Sequence, residues 1–138
     1  MDFFQRYIEF INKNNPFMIH NGISLTKLTK DYAEAEVVTG PDSLNFMGTM
    51  HGGLHFTIAD VAACAAARSD GINYVTLGGS FDYIRSAGEG KARAVAEVRH
   101  RGRTVCRVAV KVLDERDRLL ADGNFTMYSL NQPFFKEE

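Results

Sequence analysis

A chain of 138 residues, 45% apolar and 24% charged, has the length and composition of one globular unit with its own hydrophobic core. Its 16 basic residues against 17 acidic ones leave a net charge of −1, which gives no reason to expect nucleic acid or an anionic membrane as a partner. No apolar run reaches bilayer-spanning length. The N-terminus opens on Asp2, with Arg6 and Glu9 following, so no signal peptide is expected.

Residues 2–12 carry Phe3, Phe4, Tyr7, Ile8, Phe10 and Ile11 at near-helical spacing, and Pro16 is expected to stop that amphipathic helix. Residues 22–29 and 32–38 are extended runs. In the second, Ala33, Ala35 and Val37 alternate with Tyr32, Glu34 and Glu36, the period of a half-buried strand. The turn-rich stretch 39–52 reads as a long ordered loop. A helix is predicted from Gly53 to Ser69. It is apolar on most faces, thinned by Ala59, Ala62, Ala63, Ala65, Ala66 and Ala67, and expected to be wrapped by other elements.

Everything beyond that helix reads as strand, over 73–86, 91–100, 104–114 and 118–130. The short junctions SAGEG, RGR and DERD predict an antiparallel meander. The expected architecture is α+β, one antiparallel sheet curled around a long central helix in a single domain over residues 1–138. Such a sheet has two edges, and edges invite pairing, so at least a homodimer is expected. Cys64 and Cys106 each fall on an apolar face and are expected as free thiols, which points to the reducing cytoplasm.

One feature resists the plain core reading. Asp60 is the only acidic residue between Asn45 and Ala67. A carboxylate desolvated among apolar residues is a stronger base, suited to taking a proton from water. From the residues alone it reads equally as a structural carboxylate capping a turn or paired with an arginine. The His51-Gly52-Gly53 stretch stands where the helix begins, so free backbone N–H groups with positive partial charge face outward there, and glycines let a carbonyl approach them. His51 and His55 share the i, i+4 spacing of a zinc helix, but no Glu lies between them and glycines interrupt the helix, so no metal is expected.

The order of elements, together with Asn45-x2-Gly48-x2-His51-Gly52-Gly53-x6-Asp60, SFDYIRSA and HRGRTVCRVAVKV, resembles the hotdog-fold thioesterases, most closely the phenylacetyl-CoA (PaaI-like) branch. The resemblance spans nearly the whole chain. It implies a hotdog fold and hydrolysis of an acyl-CoA thioester without a cofactor. It further implies active sites at the interface of a homodimer or homotetramer. Asp60 then looks like the catalytic carboxylate and Gly52 like the backbone donor of the oxyanion hole. Asn45 looks like a holder of the thioester carbonyl. His51 resembles the group that orients that carbonyl or faces the leaving sulfur, and Thr76 the hydroxyl that places the water. Gly78 and Gly79 depart from the family, whose members commonly carry an acidic or amide residue and a bulky apolar one there. Gly53 at the helix start, with Arg85, Arg101 and Arg103, is assigned to binding the substrate, since arginine suits phosphate contacts. Two other readings stand beside this one. A non-catalytic acyl-CoA-binding module would bind without releasing CoA. A hotdog dehydratase would use a catalytic histidine in a different motif.

Overall fold

The computed structural model describes residues 1–136. Helix α1, Phe3–Asn14, is capped by the Asp2 carboxylate, which accepts from the Gln5 N–H at 2.9 Å. That helix ends ahead of Pro16, as expected, but Pro16 also opens a second short helix, α2, Pro16–His20, capped by Asn15. Proline lacks only an N–H that the first helical position leaves unpaired in any case, so it starts a helix as readily as it breaks one. Strands β1, Ile23–Thr29, and β2, Tyr32–Val38, form a hairpin, with Asp31 in the left-handed region at its turn. A short 3-10 turn at Pro41–Ser43 interrupts the long loop before α3, Gly52–Arg68. Four strands follow: β3, Ile72–Tyr83; β4, Lys91–Arg101; β5, Val105–Leu113; and β6, Leu119–Pro133.

All six strands make one antiparallel sheet in the order β1-β2-β4-β5-β6-β3, curled around α3. Alanine dictates how closely sheet and helix approach. Ala33 pairs with Ala96, Ala35 with Ala94 and Val37 with Ala92, all on the inner face, and the buried alanines of α3 lie against them. Larger side chains, among them Val108, Val110, Leu120, Phe125 and Met127, fill the wider side of the roll.

The expected four-strand meander holds only for β4-β5-β6. Strand β3 lies outside β6, at the edge of the sheet. Cross-strand shape sets this pairing: Gly79 lies opposite Phe125, and Phe81 opposite Gly123. A Cβ on Gly79 would come within 2.8 Å of the Phe125 ring, and one on Gly123 would strike the Ser80 carbonyl. Each aromatic ring occupies the space its glycine partner leaves.

The two sheet edges differ. At β1, the Asn12 side chain of α1 accepts from the Leu25 N–H at 2.8 Å and donates to the Leu25 carbonyl at 2.9 Å, standing in for a neighbouring strand. Along β3 no such cover exists among the described residues, and Val75, Leu77 and Tyr83 are exposed on it. Nor is α3 wrapped on all sides. Gly52, Phe56, Asp60, Cys64 and Arg68, four residues apart, form a stripe of partly exposed positions along the helix, widened at its N-terminal half by Gly53, Thr57 and Val61. No helix is long and apolar enough to cross a membrane.

Candidate active site

Asp60 is half-buried on that open stripe, not enclosed in the core. Its Oδ1 accepts a 2.6 Å hydrogen bond from the Thr76 hydroxyl on β3. The Cys64 thiol, one turn further along α3, lies 3.4 Å from Thr76 Oγ1 and 3.9 Å from Asp60 Oδ1. The register of β3 against β6 shifts between Thr76 and Gly78, a bulge at Leu77 that directs Thr76 toward the helix. Gly78 and Gly79, the departure from the family pattern, therefore do not displace Thr76 from Asp60. Beyond Cys64, Arg68 donates to the Tyr7 hydroxyl and the Tyr74 carbonyl. Burial pushes the Cys64 thiol above its usual pKa.

The start of α3 is a second constellation. His51 is the N-cap, and its Nδ1 accepts the Gly53 N–H at 2.8 Å. A neutral His51 with an accepting Nδ1 carries its proton on Nε2, which remains a donor. Gly53 suits the close fold of this ring over the backbone: a Cβ there would lie 3.0 Å from Nδ1 and push the ring back. The N–H groups of Leu54 and His55 both turn to the His51 carbonyl. Among the described residues, the Gly52 N–H is thus the one first-turn donor left without a partner. A cleft of about 330 Å³ opens at His51 and Gly53, lined also by Phe17, Leu44, Leu54 and Thr57, among others.

Tyr83, which the sequence reading did not single out, closes the other side of this turn. Its hydroxyl donates to the Gly52 carbonyl at 2.8 Å, and its ring meets His55 and Phe81 edge-on. Seven residues after Thr76, it would face the opposite side of a regular strand; the shift at Leu77 brings the two to the helix side, and no local pattern signals that. His55 is 3% exposed with Nδ1 unpaired, and burial lowers its pKa below the ordinary histidine value.

Asn45 shapes its own loop. Its Oδ1 accepts from the Met47 and Thr49 N–H groups at 2.9 and 3.2 Å, and its Nδ2 donates to Thr49 Oγ1. These bonds shape the 45–49 loop and use one of the two Nδ2 hydrogens; among the described residues no hydrogen bond joins Asn45 to Gly52 or Asp60. That loop lifts Phe46 into solvent, 97% exposed.

The arginines separate. Arg101 is committed to the fold: it donates to Asp31 at 2.8 Å, to Asp70 at 2.9 Å, to the Tyr74 hydroxyl and to the Ala66 and Ala67 carbonyls. These bonds satisfy the end of α3 and occupy all three guanidinium nitrogens, so Arg101 is a latch between β4 and the helix, not a phosphate contact. Arg103 follows it in the next turn, while Arg85 lies near the start of α3, where the Ala87 carbonyl accepts from Met50. The two exposed arginines therefore flank opposite ends of a helix about 25 Å long. Neither forms an ion pair among the described residues. Cys64 and Cys106 are free thiols, and among the described residues no cluster of three or more His, Cys, Asp or Glu has the makings of a metal site.

Residues 47–121 match the Thioesterase superfamily. A relative from Mycobacterium tuberculosis, provisionally named an esterase, is 32% identical over 126 residues, covering 87% of this chain and 90% of its own. The acyl-coenzyme A thioesterase PaaI of Escherichia coli is 26% identical over 72% of each chain. A solved structure of E. coli PaaI superposes with a TM-score of 0.89 at 21% identity over 94% of both chains, which speaks for the fold alone. A Streptococcus mutans protein solved with acetyl-CoA bound superposes with a TM-score of 0.76 at 28% identity, covering 80% of this chain and 90% of the other.

Proposed function

The chain belongs to the thioesterase superfamily and is a thioester hydrolase of hotdog fold, and from that premise we propose that it cleaves aryl- or fatty acyl-CoA to the free acid and CoA. The acetyl-CoA bound to the S. mutans protein and the name of E. coli PaaI support CoA as the carrier. In this reading Asp60 is the general base. Thr76 holds Oδ1, and Oδ2, which has no partner among the described residues, takes a proton from water. The resulting hydroxide adds to the thioester carbonyl. The Gly52 N–H, the open first-turn donor, stabilises the oxyanion, and the His51 Nε2–H faces the carbonyl or the leaving sulfur. Collapse breaks the C–S bond, and the proton held by Asp60 passes to the departing thiolate. A carboxylate base contributes about 10²–10⁴ in rate and an oxyanion donor about 10²–10³.

The observation that carries this reading is a distance along α3. Gly52 and Asp60 are eight residues apart, about 12 Å at helical rise. A base acting through one water and a donor acting on the same carbonyl must lie much closer than that, so one chain holds the two halves of different sites. A second copy resolves this. Two-fold pairing of the open β3 edges, with the α3 stripes antiparallel, sets Asp60 of each chain against the Gly52 turn of the other. The exposed Val75, Leu77 and Ile84 and the projecting Phe46 fit burial in such a homodimer, itself a candidate half of a tetramer. Arg85 and Arg103, at opposite ends of α3, then come to the same end of each composite site to meet CoA phosphates. The free thiols fit a reducing cytoplasm.

The test is release of free thiol from phenylacetyl-, benzoyl-, hexanoyl- and lauroyl-CoA, ranked by kcat/KM. Asp60→Asn is expected to bind acyl-CoA and release no CoA. Full turnover by that variant would refute Asp60 as the base.

A further inference from the structure

Strand β3 touches α3 through two hydroxyls. One belongs to the proposed base: Thr76 to Asp60 at 2.6 Å. The other belongs to the proposed oxyanion donor: Tyr83 to the Gly52 carbonyl at 2.8 Å. We propose that Tyr83 is a positioning residue that fixes the direction of the Gly52 N–H. The inference rests on the reading of Gly52 as the oxyanion donor.

The first turn of α3 needs such a fixture. It contains consecutive glycines, each adding about 1 kcal/mol of helix-opposing freedom relative to alanine. A helix start also lacks half its backbone bonds. His51 restrains the turn from the N-terminal side, through Gly53. Tyr83 restrains it from the sheet, through the Gly52 carbonyl. Both tethers grip the Gly52–Gly53 peptide, one at its carbonyl and one at its N–H, and the preceding peptide, which carries the Gly52 N–H, is held at the His51 carbonyl by the Leu54 and His55 N–H groups, so the Gly52 N–H keeps one direction without being consumed.

The tyrosine is itself held. Its ring packs edge-on against the buried His55 and against Phe81, with centroids 5.8 and 5.2 Å away. Burial raises its phenol pKa, so it stays a hydrogen donor at neutral pH. The fit is close: a Cβ on Gly52 would lie 3.3 Å from the Tyr83 ring, which would have to yield by a few tenths of an ångström. Phenylalanine would keep the packing and lose only the tether. Because β3 carries both Thr76 and Tyr83, one strand sets the geometry of both half-sites, and pairing at its free edge would bring the two into register.

The experiment compares wild type, Tyr83→Phe and Tyr83→Leu as full chains, on the best substrate of the panel above. Kinetics and thermal melting are read together. Tyr83→Phe is expected to lose about tenfold in kcat, with KM within about twofold of wild type and Tm unchanged, because misdirecting a donor weakens only the transition state. Tyr83→Leu also loses ring packing and is expected to lower Tm. Wild-type turnover with full kcat in Tyr83→Phe overturns the inference alone, as does a loss confined to Tyr83→Leu that tracks its Tm. Wild type without turnover on any panel member instead refutes the thioesterase reading on which the inference rests.

Discussion

The Thr76 hydroxyl donates to one oxygen of Asp60 at 2.6 Å and leaves the other oxygen open. A hydroxyl so placed is a fixed donor to a carboxylate, a charge-assisted bond worth about 1.5–3 kcal/mol. It orients Asp60 by spending one face of the carboxylate and keeping the other for water. Thr76→Val keeps the shape and deletes the donor. We expect kcat to fall about tenfold or more with KM little changed, measured by thiol release. Wild-type kcat in this variant would remove Thr76 from the mechanism.

If each site draws its base from one chain and its oxyanion donor from the other, two dead variants should rescue one another. Gly52→Pro deletes the donor N–H at the first helical position, the one place where proline is tolerated. His51, at φ −62 and ψ 136, already has the backbone a residue before proline prefers. Gly52→Pro and Asp60→Asn, each inactive alone, are unfolded together and refolded as a mixture. Half of the dimers are then mixed, and each holds one intact site of two, so activity returns to about a quarter of wild type by the pairing described for C2 dimers. No recovery from subunits shown to exchange would place both groups in one chain.

Arg101 and Arg103 are close in sequence and opposite in expected effect. Arg101→Met strands Asp31, Asp70 and two helix-end carbonyls, and is expected to cost about 2–3 kcal/mol, or several degrees in Tm. KM for acyl-CoA should hardly change. Arg103→Ala should leave Tm alone and raise KM severalfold, more at low salt, because an exposed phosphate contact is screened. Calorimetry and initial rates at two ionic strengths separate the pair.

His55 makes folding sensitive to acid. Burial lowers its folded-state pKa below the unfolded value of about 6.5. Between those two values the unfolded chain binds a proton that the folded chain refuses, so stability rises with pH across that window. The native state is favoured in full above about pH 6.5 and weakens as pH falls below it. His55→Leu removes both the titration and the unpaired Nδ1, a defect worth about 1–3 kcal/mol. Urea melts at pH 5 and pH 7.5 should show a smaller difference for the variant than for wild type. An equal difference in both would assign the acid sensitivity to other groups.

The chain displays most of its elements openly, because periodicity is a local property. Alternation in Ala33-Ala35-Val37 and again in Cys106-Val108-Val110-Val112 is enough to mark strands, and the alanines of α3 mark a helix meant for close packing. Asp60 and the His51-Gly52-Gly53 turn stand out by residue type, while Thr76 is marked only by the family resemblance; the hydrogen bond from Thr76 to Asp60 is a contact that the fold supplies. Local pattern was incomplete at Pro16: the first helix ends before it, as expected, but the same proline starts a second helix capped by Asn15.

What the sequence by itself determined is which segments become helix and strand, and which side chains are chemically able to act. Tertiary structure alone decided who meets whom. The pairing of β3 with β6 depends on Gly79 lying opposite Phe125 and Phe81 opposite Gly123, fits between residues more than forty positions apart that no periodicity records. The same holds for Arg101, whose exposed-looking turn folds back onto the end of α3, and for Tyr83, which reaches Gly52 across 31 residues of chain. A helix that reads as apolar almost all round keeps one stripe open, because the sheet curls only partway around it. Asp60 lies on that stripe, at a surface rather than in a core, and the curvature that leaves it there comes from contacts distributed over the whole sheet.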